Sequence, residues 1–496
     1  TDMIQMFNYA TSFNQDLSSW DVSNITQMTE MFHGTDDLSD ENKCAIHTSF
    51  SSNENWPYDW SEFCVPELTP ITQDNIQEAV DLWVSDPTQA EATYGHISDW
   101  DVSAVTNMSQ LFKDKEIFND DIGDWDVSNV TNMRRMFWHA QSFDQDLGAW
   151  DVSNVTDMWG MVSMQEGQPT VFTGQGLENW DVSNVTDFGN FAYMSHSFNA
   201  DLSSWDVSSA TNFGNMFRDC YDLDSDFSNW NVSNATNFAW MFQNCQNFNS
   251  DLSGWNVSNA TSIAGMFCGT TGETYGVSNW DVSNVTNMWW VFQNAHNFNE
   301  DISGWDVSSA ISMEIMFSNA HSFSYDLSSW DVSNVTNMAA MFQNMNNFDS
   351  DLSSWNVSNV TNMACTFCGN SSFTGQGLEN WDVSNVTNMV EIFGEASSFN
   401  GDISNWDVSN INSLQYSFRN AQSFDQDLSS WNVSNVTNMH RTFYNAGLFD
   451  SDLSSWDISN VTNFNQTFDN TNLSQENQCA IHTAFSSNEN WPYDWS

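Results

Sequence analysis

Basic side chains are scarce in this sequence: 496 residues carry 8 lysines and arginines against 65 aspartates and glutamates, a formal net charge of −57. A surface this acidic repels phosphate backbones and anionic lipid headgroups. The composition therefore excludes nucleic acid and anionic membranes as partners. The same charge opposes compaction, so the fold needs screening salt or bound counterions, of which divalent cations are the most effective.

Long apolar runs are also missing. No stretch approaches the roughly 18 apolar residues that a membrane-spanning helix needs, so we expect no membrane insertion here. No charged-then-apolar signal segment opens the sequence either, and any secretion signal would lie upstream. Hydrophobic residues nevertheless make up 40% of the chain and aromatic residues 15%. This composition is ample for a core and argues against disorder.

Tryptophans mark an internal repeat. They recur in steps of 25 residues from Trp100 to Trp456, interrupted by an insertion before Trp180 and by one extra residue before Trp381. A fixed period of this length is typical of repeat proteins whose units stack on one another. Trp20 belongs to an earlier array of the same kind.

Each repeat is approximately DLSSWDVSNVTNMxxMFxxAxSFNx. In Asp326–Ser333, apolar and polar residues alternate around the tryptophan, which predicts a short strand with one buried face. Val335, Met338 and Phe342 then follow at three- and four-residue spacing, which predicts a short helix or 3₁₀ segment. One strand and one short helix cannot close a core alone. The sequence therefore predicts a solenoid of 25-residue coils with a parallel sheet, its strands about 4.8 Å apart.

Solenoid ends expose the core and need caps. Thr72–Val84 carries apolar residues on one helical face, which predicts an opening cap. The segment Cys44–Ser61 returns almost unchanged as Cys479–Ser496, which predicts a closing cap at both places. We therefore expect a preceding solenoid's closing coils and cap at 1–64, a linker at 65–71, a helical cap at 72–99, the solenoid at 100–470 and a truncated closing cap at 471–496. The chain would then be a window from a longer tandem protein.

The motif WDVSNVTNMxxMF resembles the repeats of the BspA-like leucine-rich-repeat surface proteins. The resemblance covers essentially every coil from Trp100 to Phe468, and also Met3–Phe32. It implies a leucine-rich-repeat-like solenoid displayed outside cells or on their surfaces, often linked to adhesion. No catalytic residues come with this family.

Catalytic signatures are missing as well. The sequence contains no phosphate loop, no dinucleotide fingerprint, and neither G-x-S-x-G nor H-E-x-x-H. The C-x-x-C at Cys365 and Cys368 has no second pair and no thioredoxin-like setting, so it predicts neither zinc nor redox chemistry. His196, His296 and His321 share one column, where a polar turn is the ordinary explanation and a surface metal site the alternative. We expect no enzyme.

Aspartates recur in columns before and after each predicted strand. Stacked carboxylates repel one another, and turn amides, high salt or bridging Ca²⁺ each relieve the repulsion. Separately, Asp222, Asp224 and Asp226 alternate as in a calcium loop, although Phe227 stands where such a loop needs glycine. Ca²⁺ is the only cofactor considered, with hydrogen-bonded turn aspartates as the alternative. The candidate ligands are Asp222, Asp224, Asp226, Asp301, Asp326 and Asp351.

Two cysteine pairs are candidate disulfides. Cys44 and Cys64 bracket the repeated ending, and Cys220 and Cys245 lie one repeat apart. Each pair can be cross-linked if the fold brings its members together. Such bonds would indicate an oxidising compartment, whereas free buried thiols are the alternative.

N-x-S/T sequons recur in most coils at a column expected to face outward. In a eukaryote, or a virus using its machinery, several would carry glycans. The alternative is a bare, hydrogen-bonded ladder of asparagines. The candidates are Asn129, Asn154, Asn184, Asn284, Asn334, Asn385, Asn435 and Asn460.

These features together predict a non-enzymatic extracellular structural protein. Its tandem acidic solenoids would build a filament or a cell-surface appendage through head-to-tail or lateral self-association. The alternative is a surface adhesion module that binds a glycan or a cell-surface protein. It would do so through the regular Ser and Asp/Asn face or through the insertion Val162–Gly176, a local break in the repeat.

Overall fold

A computed structural model of the chain describes residues 1–64, 68–165 and 171–496. These residues form two compact units, Thr1–Pro70 with Ser85–His96, and Ile71–Val84 with Ile97–Ser496. The predicted opening cap, 72–99, is thus divided between the units, and the predicted domain boundaries stay predictions. The helices are α1 (Asp40–Phe50), α2 (Ile76–Ser85), α3 (Pro87–Tyr94) and α4 (Gln475–Phe485), with 3₁₀ turns at Ser61–Phe63, Ile97–Asp99, Leu177–Asn179 and Leu378–Asn380.

The second unit is a solenoid in which successive coils pair through parallel backbone bridges. Asn337, for example, bridges Ser312 in the coil before it and Asn362 in the coil after it. Such bridges recur one repeat apart along most of the array between Asn107 and Asn463. The predicted stacking of coils is therefore present.

The local structure within each coil differs from the prediction. Asp326–Ser333 contains turns and no strand, and the parallel sheet is reduced to one bridging residue per coil. The bridges lie instead in the segment that was predicted to be helical. There, alternate amides donate to the next coil, as Ala340 N does to Ala364 O at 2.8 Å. The amide between two such donors closes a turn within its own coil, as Met341 N does to Met338 O at 3.1 Å.

Left-handed backbone explains why this segment is not a helix. Ala340 has a φ of 53° and Asn344 a φ of 57°, values that an α-helix or 3₁₀-helix cannot contain. Other coils have positive φ at the same two positions, four residues apart. Consecutive turns therefore produce the three- and four-residue apolar spacing that resembles a helix in the sequence.

Aromatic columns fill the interior of the coils. Trp230 and Trp255 stack with ring centroids 6.4 Å apart and planes 1° from parallel. The buried indole N–H of Trp255 donates to the carbonyl of Phe227, 2.8 Å away, so the tryptophan is both packed and hydrogen-bonded. Phe342 and Phe348 stack at 4.1 Å beside this column. Burying one tryptophan per coil gives about 4–6 kcal/mol of gross stabilisation before entropy.

Side chains close the two ends of the second unit. At its start, Oε1 of Gln73 accepts the amides of Thr106 and Asn107 at 3.0 and 2.9 Å, where a preceding coil would otherwise pair. At its end, Nδ2 of Asn488 donates to the carbonyl of Ile458 at 2.8 Å, and the Tyr493 hydroxyl accepts the amide of Phe468 at 2.9 Å. In the first unit, Asn53 and Tyr58 make the equivalent contacts.

Two of the helices contribute to these caps. Helix α2 buries Ile76, Ala79, Val80 and Trp83. Helix α4 begins at the N-cap Ser474, whose hydroxyl accepts the amide of Asn477. Among the described residues, no helix combines the length and the apolar character that crossing a bilayer requires.

Ile315 provides a test of the left-handed positions. Its φ is 58°, and a β-branched residue in this region is strained by about 1–2 kcal/mol. Asn190 and Asn215 occupy the same position in other coils at a φ of 55°. We therefore predict that Ile315→Asn raises the chemical denaturation midpoint of the full chain. The reverse change, Asn215→Ile, should lower it. A lower midpoint for both variants would contradict this account of the turns.

Candidate functional site

The predicted carboxylate columns are held by their own turns. Asp301 Oδ1 accepts the amide of Ser303 at 3.0 Å and its hydroxyl at 2.7 Å. The hydroxyl contact, followed by the amide contact, lowers the pKa of the Asp301 carboxyl. Asp326 accepts the same two groups from Ser328. The turn therefore stabilises the charged form of Asp301.

The remaining candidate calcium ligands do not converge. Asp226 accepts the amide of Ser228 at 2.9 Å, and Asp222, Asp224 and Asp226 are all exposed. Within the described ranges, no group of three or more His, Cys, Asp or Glu residues is placed to hold a metal ion. Asp351, like Asp226, is held by its own turn, through the amide of the serine two residues on. The hydrogen-bonded alternative is thus observed for Asp226, Asp301, Asp326 and Asp351, and calcium dependence stays a prediction.

The sequon asparagines form a ladder along the exposed surface. Asn334 Nδ2, for example, donates to the carbonyl of Ser308 in the preceding coil at 2.8 Å. The carboxamide nitrogen that would carry a glycan is therefore already a hydrogen-bond donor between coils. Glycosylation of these positions stays a prediction. The same contact to a serine carbonyl is made by Asn129, Asn154, Asn184, Asn284, Asn385, Asn435 and Asn460.

One of the two predicted disulfides is present. Cys44 and Cys64 are bonded, with Cα atoms 4.7 Å apart. The prediction for Cys220 and Cys245 is wrong, because both are free and buried. Their thiols point in the same direction, each toward a carbonyl of the preceding coil, 3.1 and 3.0 Å away. Burial also raises the pKa of both thiols, as expected for inert structural cysteines.

A second disulfide joins Cys365 to Cys368. The amide of Cys368 donates to the carbonyl of Cys365 at 3.1 Å, so the bond spans a single turn. The sequence analysis weighed this pair only for zinc and redox chemistry. The C-x-x-C spacing was the available signal, because it matches the first and last residues of the turn.

Two of the three column histidines come together. His296 and His321 stack at 5.0 Å, and each Nδ1 lies 2.8 Å from a backbone carbonyl, that of Asn319 or Asn344. His196 stacks on a tyrosine elsewhere, at 4.4 Å. These contacts are those of polar turn positions.

The insertion Val162–Gly176 is only partly described, because residues 166–170 lie outside the described residues. On its near side, the amide of Val162 donates to the carbonyl of Phe191 at 2.9 Å, as in regular coils. On its far side, Phe172 stacks between Phe143 and Phe198, with ring centroids 6.1 and 6.2 Å away. The described ends of the insertion therefore continue the stack.

An irregular coil at 269–278, which the sequence analysis missed, interrupts one polar surface. Its sequence, GTTGETYGVS, has Glu273 where the neighbouring coils have the buried Phe248 and Phe298. This missing phenylalanine was the available signal. An open polar groove of about 910 Å³ lies beside this coil.

Comparison with known families identifies the repeats. A family model described as "Mycoplasma protein of unknown function, DUF285" matches residues 1–56, 88–168, 164–275, 261–376 and 362–479. The chain belongs to this family. The DUF285 matches succeed one another along both units, which agrees with a tandem repeat protein.

Comparison with solved structures adds little to the DUF285 assignment. The functional domain of InlJ from Listeria monocytogenes, which includes a cysteine ladder, is 12% identical over 69% of this chain and 70% of that chain, with a TM-score of 0.18. At this level the similarity carries no argument, and the solenoid description rests on the coil-to-coil contacts of the DUF285 chain itself. No curated protein matches the sequence.

The cysteine assignment predicts a thiol count. Of the 8 cysteines, Cys220, Cys245, Cys268 and Cys479 are free. Alkylation in denaturant without reductant should therefore label these four, and peptide mapping should recover the Cys44–Cys64 and Cys365–Cys368 links. Recovery of a Cys220–Cys245 link would contradict the structure.

The turn aspartates predict how stability depends on pH. The pKa values of Asp301, Asp306 and Asp351, for example, are lowered from the ordinary 3.8 in the folded chain. They therefore stabilise the fold above that value, and the stabilisation is lost as the pH falls through the lower folded values. In about 0.5 M NaCl, which screens charge repulsion, the denaturation midpoint should hold between about pH 8 and pH 5 and fall below about pH 4. A midpoint that rises on acidification in this salt would contradict the role of the turns.

Proposed function

We propose that this DUF285 protein is a non-enzymatic structural protein displayed outside the cell, in which tandem solenoids within one polypeptide build a filament or surface appendage. The observation that carries the proposal is the pair of closing caps. The same helix and aromatic loop follow the last coil in each unit, with Tyr58 or Tyr493 accepting an amide of that coil. A chain that closes one solenoid with a cap and then forms another becomes longer within a single polypeptide.

The capped ends favour elongation within one polypeptide over end-to-end polymerisation of separate chains. An unpaired coil edge presents backbone donors and acceptors that another chain can pair with. In the second unit, Gln73 and Gln77 supply side-chain amides to backbone groups of the first coil. Asn488 does the same for the last coil. Any contact between separate molecules would then be lateral.

Display outside the cell is supported by the disulfides and by the sequence resemblance. Cys44–Cys64 and Cys365–Cys368 are bonds that persist in oxidising compartments. The repeats resemble those of BspA-like surface proteins, in which adhesion is frequent. Adhesion is the second candidate function here, and the polar groove at the irregular coil is the observation that favours it.

Electron microscopy of the protein purified from its native source without chelators tests the structural role. We expect long assemblies with a repeat that matches one capped solenoid, because the solenoids succeed one another in the chain. Short isolated rods, no longer than one or two capped solenoids, would contradict the proposal.

The caps can be tested by removing their amides. The double variant Gln73→Ala/Gln77→Ala exposes backbone groups of the first coil, so its sedimentation coefficient should rise with concentration while the wild-type chain stays monomeric. Gln145→Ala/Gln426→Ala is the matched control, since these glutamines donate to carbonyls inside the stack. Wild-type chain that polymerises end to end as readily as the cap variant would contradict the role of the caps.

A further inference from the structure

The irregular coil is held in place by a buried carboxylate. Glu300, 6% exposed, accepts the amides of Tyr275, Gly276 and Ser278 at 2.8, 3.0 and 2.8 Å. In a regular coil, a serine such as Ser250 stands at this position and accepts a single amide. One buried carboxylate therefore satisfies three amides of the rerouted backbone and fixes its course.

The irregular coil still contributes an aromatic ring to the core, but the ring comes from Tyr275. The ring of Tyr275 enters the phenylalanine column, 5.6 Å from Phe248 and 6.1 Å from Phe298. A Cβ on Gly272 would lie 2.5 Å from this ring, so only glycine fits there. Because Gly272 has no side chain, it leaves a gap in the surface row between Asn247 and Asn297.

That gap opens into the groove of about 910 Å³. Its walls come from successive coils, with Asn247 and Asn249 on one side of the gap and Asn297, Ser322 and Asn347 on the other. Two of these amides are fixed by the stack: Asn297 and Asn347 each donate to a backbone carbonyl of the preceding coil at 2.9 Å. Their side-chain oxygens keep accepting capacity for a ligand.

The lining restricts the chemistry of a ligand. Carboxamides and hydroxyls both donate and accept hydrogen bonds, and Glu273 is the charged residue in the lining. An anionic ligand would face this carboxylate and the charge of the whole chain, −57. The groove extends across several coils, so an elongated, neutral and polyhydroxylated molecule matches it.

We infer that this groove binds a neutral oligosaccharide. The irregular coil makes the opening, and the flanking Asn and Ser side chains provide the hydrogen bonds that recognise hydroxyl groups. The inference rests on the adhesion candidate, and it places the ligand beside 269–278 rather than at the insertion Val162–Gly176. A failure here leaves the structural proposal untouched, because that proposal is tested by imaging without any ligand.

Calorimetric titration of the full chain tests the inference. The probes are cellohexaose, laminarihexaose, mannohexaose and chitohexaose, with hexagalacturonate as the anionic counterpart. The test variant is Asn247→Ala/Asn249→Ala, in which both changed side chains are exposed. Ser398→Ala/Ser423→Ala is the matched control, in the same surface row as Asn247 but away from the groove. Equal denaturation midpoints establish that both variants are folded.

We expect at least one neutral hexasaccharide to bind the wild-type chain. Loss of two hydrogen-bonding side chains should weaken that binding about tenfold or more, and the control should bind like wild type. Ser322→Ala, on the other wall, should weaken it in the same direction. Failure of all four neutral probes, binding of hexagalacturonate alone, or equal binding by wild type and the Asn247→Ala/Asn249→Ala variant would each overturn the inference.

Discussion

The dependence of each coil on its neighbours for backbone hydrogen bonds organises the second unit. A coil of this solenoid contains turns and a single bridging residue, so it cannot pair its own polar groups as a helix does. Thr361 N donates to Thr336 O at 2.9 Å, and Met338 N donates to Asn362 O at 3.0 Å. The core also depends on neighbouring coils, since the indole N–H of Trp255 donates to the carbonyl of Phe227 in the preceding coil. A nearly constant repeat length follows, because each bond between coils requires the neighbouring coil in register.

The same dependence explains the surface and the ends. Ladder asparagines such as Asn334 donate a hydrogen bond to the preceding coil. Each turn aspartate holds its own turn by accepting a hydrogen bond from a serine such as Ser303. Most of these exposed polar side chains thus form hydrogen bonds that hold the stack together. At the ends, Gln73 and Asn488 supply side-chain amides in place of a missing coil. The surface departs from this regular pattern at the irregular coil 269–278, which contains Gly272.

The period and the buried columns could be predicted from the sequence, because the spacing of Trp and Phe is a direct consequence of stacking. The conformation within a coil could not. Apolar spacing at Val335, Met338 and Phe342 is shared by helices and by consecutive turns, and only the positive φ at Ala340 distinguishes them. Cys220 and Cys245 were correctly placed in neighbouring coils, but each buried thiol is held on a carbonyl of its preceding coil and not against the other thiol. The groove exists because Tyr275, from a different position in its coil, takes the place of the phenylalanine that the repeat would supply. The 25-residue periodicity alone does not reveal this change.

Disulfide trapping between coils tests the register most directly. Thr336 and Thr361 are exposed and in register, and neighbouring chains in such a pairing lie about 4.8 Å apart, within the range that a disulfide spans. Cysteines at these exposed positions can rotate toward each other, unlike the buried thiols of Cys220 and Cys245, which are held on backbone carbonyls. Oxidation of Thr336→Cys/Thr361→Cys should therefore link the two introduced cysteines efficiently, and peptide mapping would identify the link. Thr336→Cys/Asn359→Cys, which is out of register, should link poorly. Equal linking in both variants, or preference for the out-of-register pair, would contradict the stacked-coil account.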